Sequence, residues 1–279
     1  MPRLADVEAR IAGMTSLQGI VGAMRSLAGI RLQEAQQALS GIRGYAQVMR
    51  DAIGRALPFI DDDAPAVNDP PGQGLRTLVV LTAEHGFAGG FNERLLEELR
   101  PASPELLLIL GNRGAAAAAE RGLAPAWVAA MPTRGAGAME AAHRLSREVY
   151  ARGALARVEV LYNAYCQFGQ WKVTRKSILP LDLGAIPPRA LPHPPLLNLS
   201  PAALLESLTY EYVFAQLMEA MVESIASENA ARFAAMQSAT DNVEKKLEQL
   251  GQEANRVRQE EITTELLDLM VGTEGATAG

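Results

Sequence analysis

The sequence predicts an α/β protein with a long antiparallel coiled coil: a Rossmann-like, largely parallel-sheet domain inserted between long N- and C-terminal helices. Three observations predict it. After Pro2 no proline occurs until Pro58, and an apolar residue recurs every seven positions across that stretch. A second proline-free stretch runs from Ala202 to Val271. Between the two, short apolar runs alternate with helix-like segments, the pattern of strands joined by helical crossovers.

In the first stretch the repeat is Val7, Met14, Val21, Ala28, Ala35, Ile42, Met49 and Ala56. Its companion positions are expected at Arg10, Leu17, Met24 and Arg31, a mixed set that makes one imperfect seam. Gly13, Gly19, Gly22, Gly29, Gly41, Gly44 and Gly54 fall in the same segment, each costing about 1 kcal/mol relative to alanine in a helix interior. Such a helix is marginal alone, so a partner helix is expected to supply the stability, its backbone approaching closely over the small residues.

The partner is expected at the other end of the chain. Ser200 followed by Pro201 has the form of an N-cap with proline at the first helical position, and only Gly251 interrupts the stretch to Val271. At about 1.5 Å per residue the two helices would reach roughly 105 Å and 80 Å. Met236, Ala239, Val243, Leu247, Leu250, Ala254 and Val257 recur in steps that average about 3.5 residues, a second seam. Two seamed helices at opposite ends most simply pair with each other.

The middle has a different grammar. A linker at Asp61 to Gly74 is rich in aspartate, proline and glycine. Strands follow near 76–82, 106–110, 127–131, 157–163 and 168–178, with helices near 92–100, 115–121 and 136–151. The resulting division is a coiled-coil helix over 1–58, a linker over 59–75, an α/β domain over 76–179, a proline-rich linker over 180–200 and the second coiled-coil helix over 201–273.

The stretch "GFAGGFN", Gly86 to Asn92, lies between a strand and a helix, where open α/β sheets bind phosphates. Its spelling is neither G-x-G-x-x-G nor a P-loop, and no acidic ribose partner is well placed after it. "GNRGAAAAAERG" shares that weakness, and its alanine run suits a helix lying flat on a sheet. Glu84 and His85 could form a base with an orienting carboxylate, although adjacent turn residues usually diverge. His143 and His193 complete the histidines, and no pair has metal-ligand spacing. Cys166, the single cysteine, is expected in the core or at an edge, with no companion that marks a nucleophile. A dispersed net charge of −6 without a basic run argues against nucleic acid. Neither a signal peptide nor a bilayer-spanning run of roughly 20 apolar residues is expected, so any work at a membrane is from its side.

Three segments resemble one known family. "SENAARFAAMQSATDNVEKKLEQLGQEANRVRQEEITTELLDLMVG", Ser227 to Gly272, is similar to the C-terminal helix of the gamma subunit of rotary F-type ATP synthases, with its S-E-x-x-A-R-x-x-A-M-x-x-A-T-x-N and N-x-x-R-Q-x-x-I-T-x-E-L runs. "IAGMTSLQGIVGAMRSLAGIRLQEAQ" resembles the family's N-terminal helix, and "HGFAGGFN" its R-G-L-C-G-G-F-N turn. Gly19, Val21, Arg31 and "LLNLSP" depart from the family pattern, which fits a divergent form such as the gamma subunit of an alternative F-type ATPase.

The resemblance implies a non-catalytic, cofactor-free central-stalk rotor subunit, one copy per complex, coupling flow of protons or sodium ions through a membrane c-ring to ATP synthesis or hydrolysis. Its implied partners are the alpha and beta subunits of the catalytic ring, an epsilon-type stalk subunit and the c-ring. The implied location is the cytoplasmic face of the bacterial inner membrane, held peripherally. By motif position it implies that Arg258, Gln259 and Thr263, with Met24 and Arg25 on the antiparallel helix, make polar contacts with the ring. Two readings of the residues stay open beside it: a nucleotide-binding α/β enzyme with its ligand at Gly86 to Asn92, and a free-standing coiled-coil scaffold associating through Met14 to Met49.

Overall fold

The computed structural model describes residues 3–59, 75–99, 105–151, 155–166, 170–189 and 196–277. The linker expected at Asp61 to Gly74, and His193, lie outside them. By its contacts the chain divides into two compact units, Met1–Leu27 with Phe233–Gly279, and Ala28–Arg232.

In chain order the elements are α1 (Leu4–Ala56), β1 (Leu75–Leu81), α2 (Phe91–Glu97), β2 (Leu106–Leu110), α3 (Asn112–Glu120), β3 (Trp127–Ala129), α4 (Ala138–Ala151), β4 (Leu155–Tyr165), β5 (Trp171–Leu179) and α5 (Pro201–Thr277). The expected fold class therefore stands. Pro201 opens α5, and Ser200 Oγ accepts from Ala203 N–H at 3.4 Å, as the sequence signature requires. The helix continues several residues beyond Val271.

The sheet has the order β3-β2-β1-β4-β5, parallel except for β5, which returns antiparallel along β4 at the edge. β2 is apolar at every position, and β1 from Leu78 to Leu81, because both faces are covered there. Val79 stands opposite Leu108 and Val160, and this row points into one core with Ala142 and Leu145 of α4 and Leu217 and Met221 of α5. The next row, Val80, Ile109 and Leu161, points into the other core with Phe91, Leu95 and Leu96 of α2 and Ala118 of α3. In α4 the buried residues Ala138, Ala141, Ala142, Leu145 and Val149 form a single stripe, which seats that helix on its side of the sheet.

The seven-residue repeat of α1 is the inner edge of that helix. Val7, Val21, Ala28, Ala35 and Ala56 are buried, and Met14, Ile42 and Met49 are half-buried. The expected companion positions are a correction. Arg10 and Leu17 are exposed, and the second buried row is instead Leu4, Ile11, Gln18, Arg25, Leu32, Leu39, Ala46 and Ile53, buried or half-buried throughout. The repeat occupies the d positions of its heptads, so the companions precede each member by three residues. The glycines are a second correction. A Cβ at Gly13, Gly19, Gly22, Gly41 or Gly44 would meet nothing within 4 Å, so among the described residues no partner backbone approaches there. Gly54 is closely approached, a Cβ there lying 2.7 Å from the Pro187 carbonyl oxygen, but by the segment after β5 and not by a partner helix.

Candidate partner-binding surface

In the unit formed by Met1–Leu27 and Phe233–Gly279, α1 and α5 run antiparallel. Val7 packs with Leu250 and Ala254, flanked by Leu4, Ile11 and Met14. Polar side chains bridge the edges of this narrow seam. Arg258 Nη2 donates to Glu8 Oε1 at 3.1 Å, Arg10 Nη1 lies 3.8 Å from Glu253 Oε2, and Arg25 Nη1 donates to Gln237 Oε1 at 2.8 Å.

These contacts locate the residues singled out from the sequence. Arg258, Gln259 and Thr263 are all exposed on α5, and Thr263 Oγ1 donates to the Gln259 carbonyl one turn back at 2.8 Å. Met24 and Arg25 are half-buried, and Arg25 belongs to the seam itself. The five do not converge. Arg258 faces Glu8, whereas Arg25 faces Gln237, and Glu8 and Arg25 are roughly 25 Å apart along α1 at about 1.5 Å per residue. Sequence reasoning missed the surface between them. Leu17 and Ile20 are exposed there, interleaved with Gly13, Gly19 and Gly22, whose outer side is open, and Leu27 is exposed just beyond Arg25. Heptads read in the correct register would have placed these residues outside.

In the Ala28–Arg232 unit, Glu84 just ahead of the glycine-rich turn is held by the next corner of the sheet. Glu84 Oε2 accepts from Asn112 N–H at 3.1 Å and from Met131 N–H at 2.8 Å, and Glu84 Oε1 accepts from the Asn112 side-chain amide at 2.5 Å. The chain's own carboxylate thus occupies the N-terminus of α3, the helix that begins at the second glycine turn. Burial works to raise this carboxyl, but the Met131 and Asn112 hydrogen bonds, with nearby His85, hold it below the usual carboxylate range. Glu84 therefore serves as a cap, and the paired base and orienter considered from the sequence is not what its hydrogen bonds support.

The second glycine turn is a packing corner. Gly111 adopts φ +112, and a Cβ at Gly114 would lie 2.1 Å from Thr82 Cβ and Oγ1. Thr82 Oγ1 donates to the Leu110 carbonyl at 2.7 Å, which ties β1 to the β2–α3 corner. This close approach starts α3 at Asn112, ahead of the Ala115 expected from its alanine run. Cys166, half-buried just after β4, donates its backbone N–H to the Gln170 carbonyl at 2.7 Å and closes the hairpin base.

The turn is held from behind by α5. Arg232 donates through Nε and Nη2 to the Gly86 carbonyl at 3.4 and 3.3 Å, and through Nη2 to Glu228 Oε1 at 2.5 Å. Burial pushes the Glu228 carboxyl up, and Arg232 opposes that rise. Two segments that carry the sequence resemblance, the S-E-x-x-A-R run and the glycine turn, are therefore in direct contact. Elsewhere in this unit Arg43 of α1 donates to Glu219 Oε1 at 3.0 Å and Glu223 Oε1 at 2.5 Å of α5, and Lys176 of β5 donates to Glu219 Oε2 at 3.3 Å. Tyr45 donates to Glu211 Oε2 at 2.7 Å, and burial followed by that carboxylate pushes its phenol up to about 12. Among the described residues no acid, histidine and cysteine cluster could hold a metal ion, and no helix is long and apolar enough to cross a membrane.

A family model described as ATP synthase matches residues 3–275. The ATP synthase gamma chain of Anaeromyxobacter dehalogenans is 30% identical over 288 residues, covering 98% of this chain and 99% of that one. That of Solibacter usitatus is 29% identical over 289 residues, covering 99% of this chain and 100% of that one. Among solved structures, the rotor of the Euglena gracilis mitochondrial ATP synthase is similar with a TM-score of 0.65 at 14% identity, over 93% of this chain and 98% of that one. The central stalk and c-ring structure of the Tetrahymena thermophila mitochondrial ATP synthase contains a chain similar with a TM-score of 0.54 at 21% identity, over 79% of this chain and 99% of that one. At those identities the structural likeness is one of fold, and the nearly full-length sequence matches carry the assignment: the chain belongs to the ATP synthase gamma chain family.

Proposed function

We propose that this chain is the central-stalk rotor of a rotary ATP synthase, turning within a ring of alpha and beta subunits and coupling ion flow through a membrane c-ring to ATP chemistry on the beta subunits. Membership in the gamma chain family makes it a non-catalytic subunit of that complex, peripheral to the membrane. The similar structures are titled as a rotor, a central stalk with c-ring, and an assembly of OSCP, F1 and c-ring. By that analogy the partners of this chain are the alpha and beta subunits, an epsilon-type stalk subunit and the c-ring. The bacterial origin of the gamma chain relatives supports a position at the cytoplasmic face of a bacterial inner membrane.

The observation that carries the rotor reading is the antiparallel seam of Val7, Leu250 and Ala254 with polar residues left on its outside. A rotor changes the affinity of equivalent sites only by contacting them unequally, since a partner with equal affinity for every state shifts nothing. Two helices of different sequence present such unequal faces. The exposed Leu17 and Ile20 between open glycines, with Leu27 beyond Arg25, offer small apolar surface suited to sliding contact. Arg258, Gln259 and Thr263, with Met24 and Arg25, supply polar contacts with the ring.

The test is reconstitution with the alpha and beta subunits encoded beside this chain, measuring complex formation and ATPase turnover for wild type and Arg258→Ala/Gln259→Ala. Co-assembly with turnover lowered at least several-fold in the double variant is expected. Absence of association would remove the rotor reading, and association with unchanged turnover would remove the contact residues alone.

A further inference from the structure

A polar cavity in the Ala28–Arg232 unit takes no part in the function proposed above. It lies where α1, α5, β5 and the segment after β5 meet, in two adjoining lobes of about 340 Å³ and 250 Å³. The larger lobe falls in the range of small-ligand sites, about 300–1,000 Å³. Both lobes are lined by Arg50, Lys176, Tyr212 and Gln216.

The hydrogen bonds around it separate satisfied from unsatisfied groups. Glu219, the carboxylate of the larger lobe, accepts from Arg43 and Lys176. Asp182, in the smaller lobe, accepts from Ala185 N–H at 3.1 Å. Arg50, by contrast, spends one Nη2 donor on the Ala185 carbonyl at 2.7 Å and pairs with no carboxylate among the described residues. Gln216 is 8% exposed and its side-chain amide bonds no other described residue. Tyr212 lies within electrostatic reach of Arg50, and its hydroxyl likewise has no partner among the described residues. An arginine with spare donors, a glutamine amide and a phenol thus line one cleft, and the amide and the phenol have no protein partner among the described residues. A guanidinium with spare donors matches the two oxygens of an oxyanion.

We propose that this cavity binds a small molecule through an oxyanion group, a phosphate or a carboxylate, held by the Arg50 guanidinium with Gln216 and Tyr212 donating beside it. Lys176 adds positive charge from β5, while Glu219 and Asp182, already occupied as acceptors, limit the ligand to the Arg50 side.

Isothermal titration of the full-length chain with inorganic phosphate, and separately with acetate, at ionic strength fixed with sodium chloride, tests this. Saturable binding of at least one anion is expected, and the tighter of the two identifies the group preferred. Arg50→Gln and Gln216→Glu are each expected to lower that affinity at least tenfold, with far-ultraviolet circular dichroism unchanged. Arg50→Lys, which retains charge but loses the fork, serves the same purpose should Arg50→Gln unfold the chain. No saturable heat with either anion, or wild-type affinity in the folded variants, would overturn the site.

Discussion

Two ion pairs, one from each unit, handle charge in opposite ways. In Ala28–Arg232, Arg232 and Glu228 pair with side chains only 8% and 6% exposed, and Arg232 holds a backbone carbonyl of the glycine turn besides. In the coiled-coil unit, Arg258 and Glu8 pair across the helices with side chains 52% and 53% exposed. A buried pair is costly to break because the survivor is left without water or partner, whereas an exposed pair exchanges one hydration for another. Arg232 and Glu228 are therefore committed to the fold, whereas Arg258 is available to other molecules.

Breaking the buried pair is expected to have the largest effect. Arg232→Ala should destabilise the chain by about 3–5 kcal/mol, because Glu228 remains buried and the Gly86 carbonyl loses its donor. Urea unfolding followed by tryptophan fluorescence measures it well, since Trp127 and Trp171 both belong to this unit. Arg232→Met with Glu228→Leu should recover much of the loss, and an equally unstable double variant would show that the contact with the turn matters more than the charge.

Core truncation extends the comparison at somewhat smaller cost. Leu217→Ala removes a buried side chain from the broad core between α5 and the sheet and should cost about 4 kcal/mol. Leu250→Ala lies in a seam only two helices wide, which can close over the lost volume, so about 2 kcal/mol is expected. Leu217→Ala should shift both the fluorescence and the circular dichroism transitions, Leu250→Ala chiefly the latter. Coincident shifts for both variants would mean that the units unfold as one.

The next effect is one of pH. The folded Glu84 carboxyl titrates below its unfolded value, so its contribution is present above the ordinary carboxylate range and is lost as pH falls through the lower, folded value. Relative to Glu84→Gln, the wild type should therefore lose stability below about pH 4.5, the ordinary value. Parallel stability curves for the two proteins from pH 6 to 3 would contradict the capping role.

How far the sequence could be read follows the same division. Strands buried on both faces announce themselves as unbroken apolar runs, so β1 and β2 were expected within a residue of their observed bounds. The α1 seam was equally legible, because Val7 to Ala56 repeats without a break. Its companion row was misplaced because Gln18 and Arg25 stand in it, and a polar residue in a seam looks like surface until its partner, here Gln237 for Arg25, is known. The contact of Arg232 with Gly86 joins residues 146 positions apart, and no local pattern encodes it. The capping by Glu84 was hidden for the same reason: its acceptor role depends on Asn112 and Met131 arriving from other loops.

The smallest expected change in stability is also the most informative about function. Arg258→Ala removes an exposed pair with Glu8 and should alter unfolding by at most about 1 kcal/mol. A cut in ATPase turnover of the reconstituted complex by that variant could not then be traced to loss of fold, and would assign the guanidinium to a contact outside this chain. Glu8→Ala separates the remaining alternatives. It breaks the same pair while leaving Arg258 free, so it should preserve turnover if Arg258 acts on the ring directly. If Glu8→Ala and Arg258→Ala lower turnover equally, the pair matters by holding the two helices in register, and the contrast between the units would be one of degree.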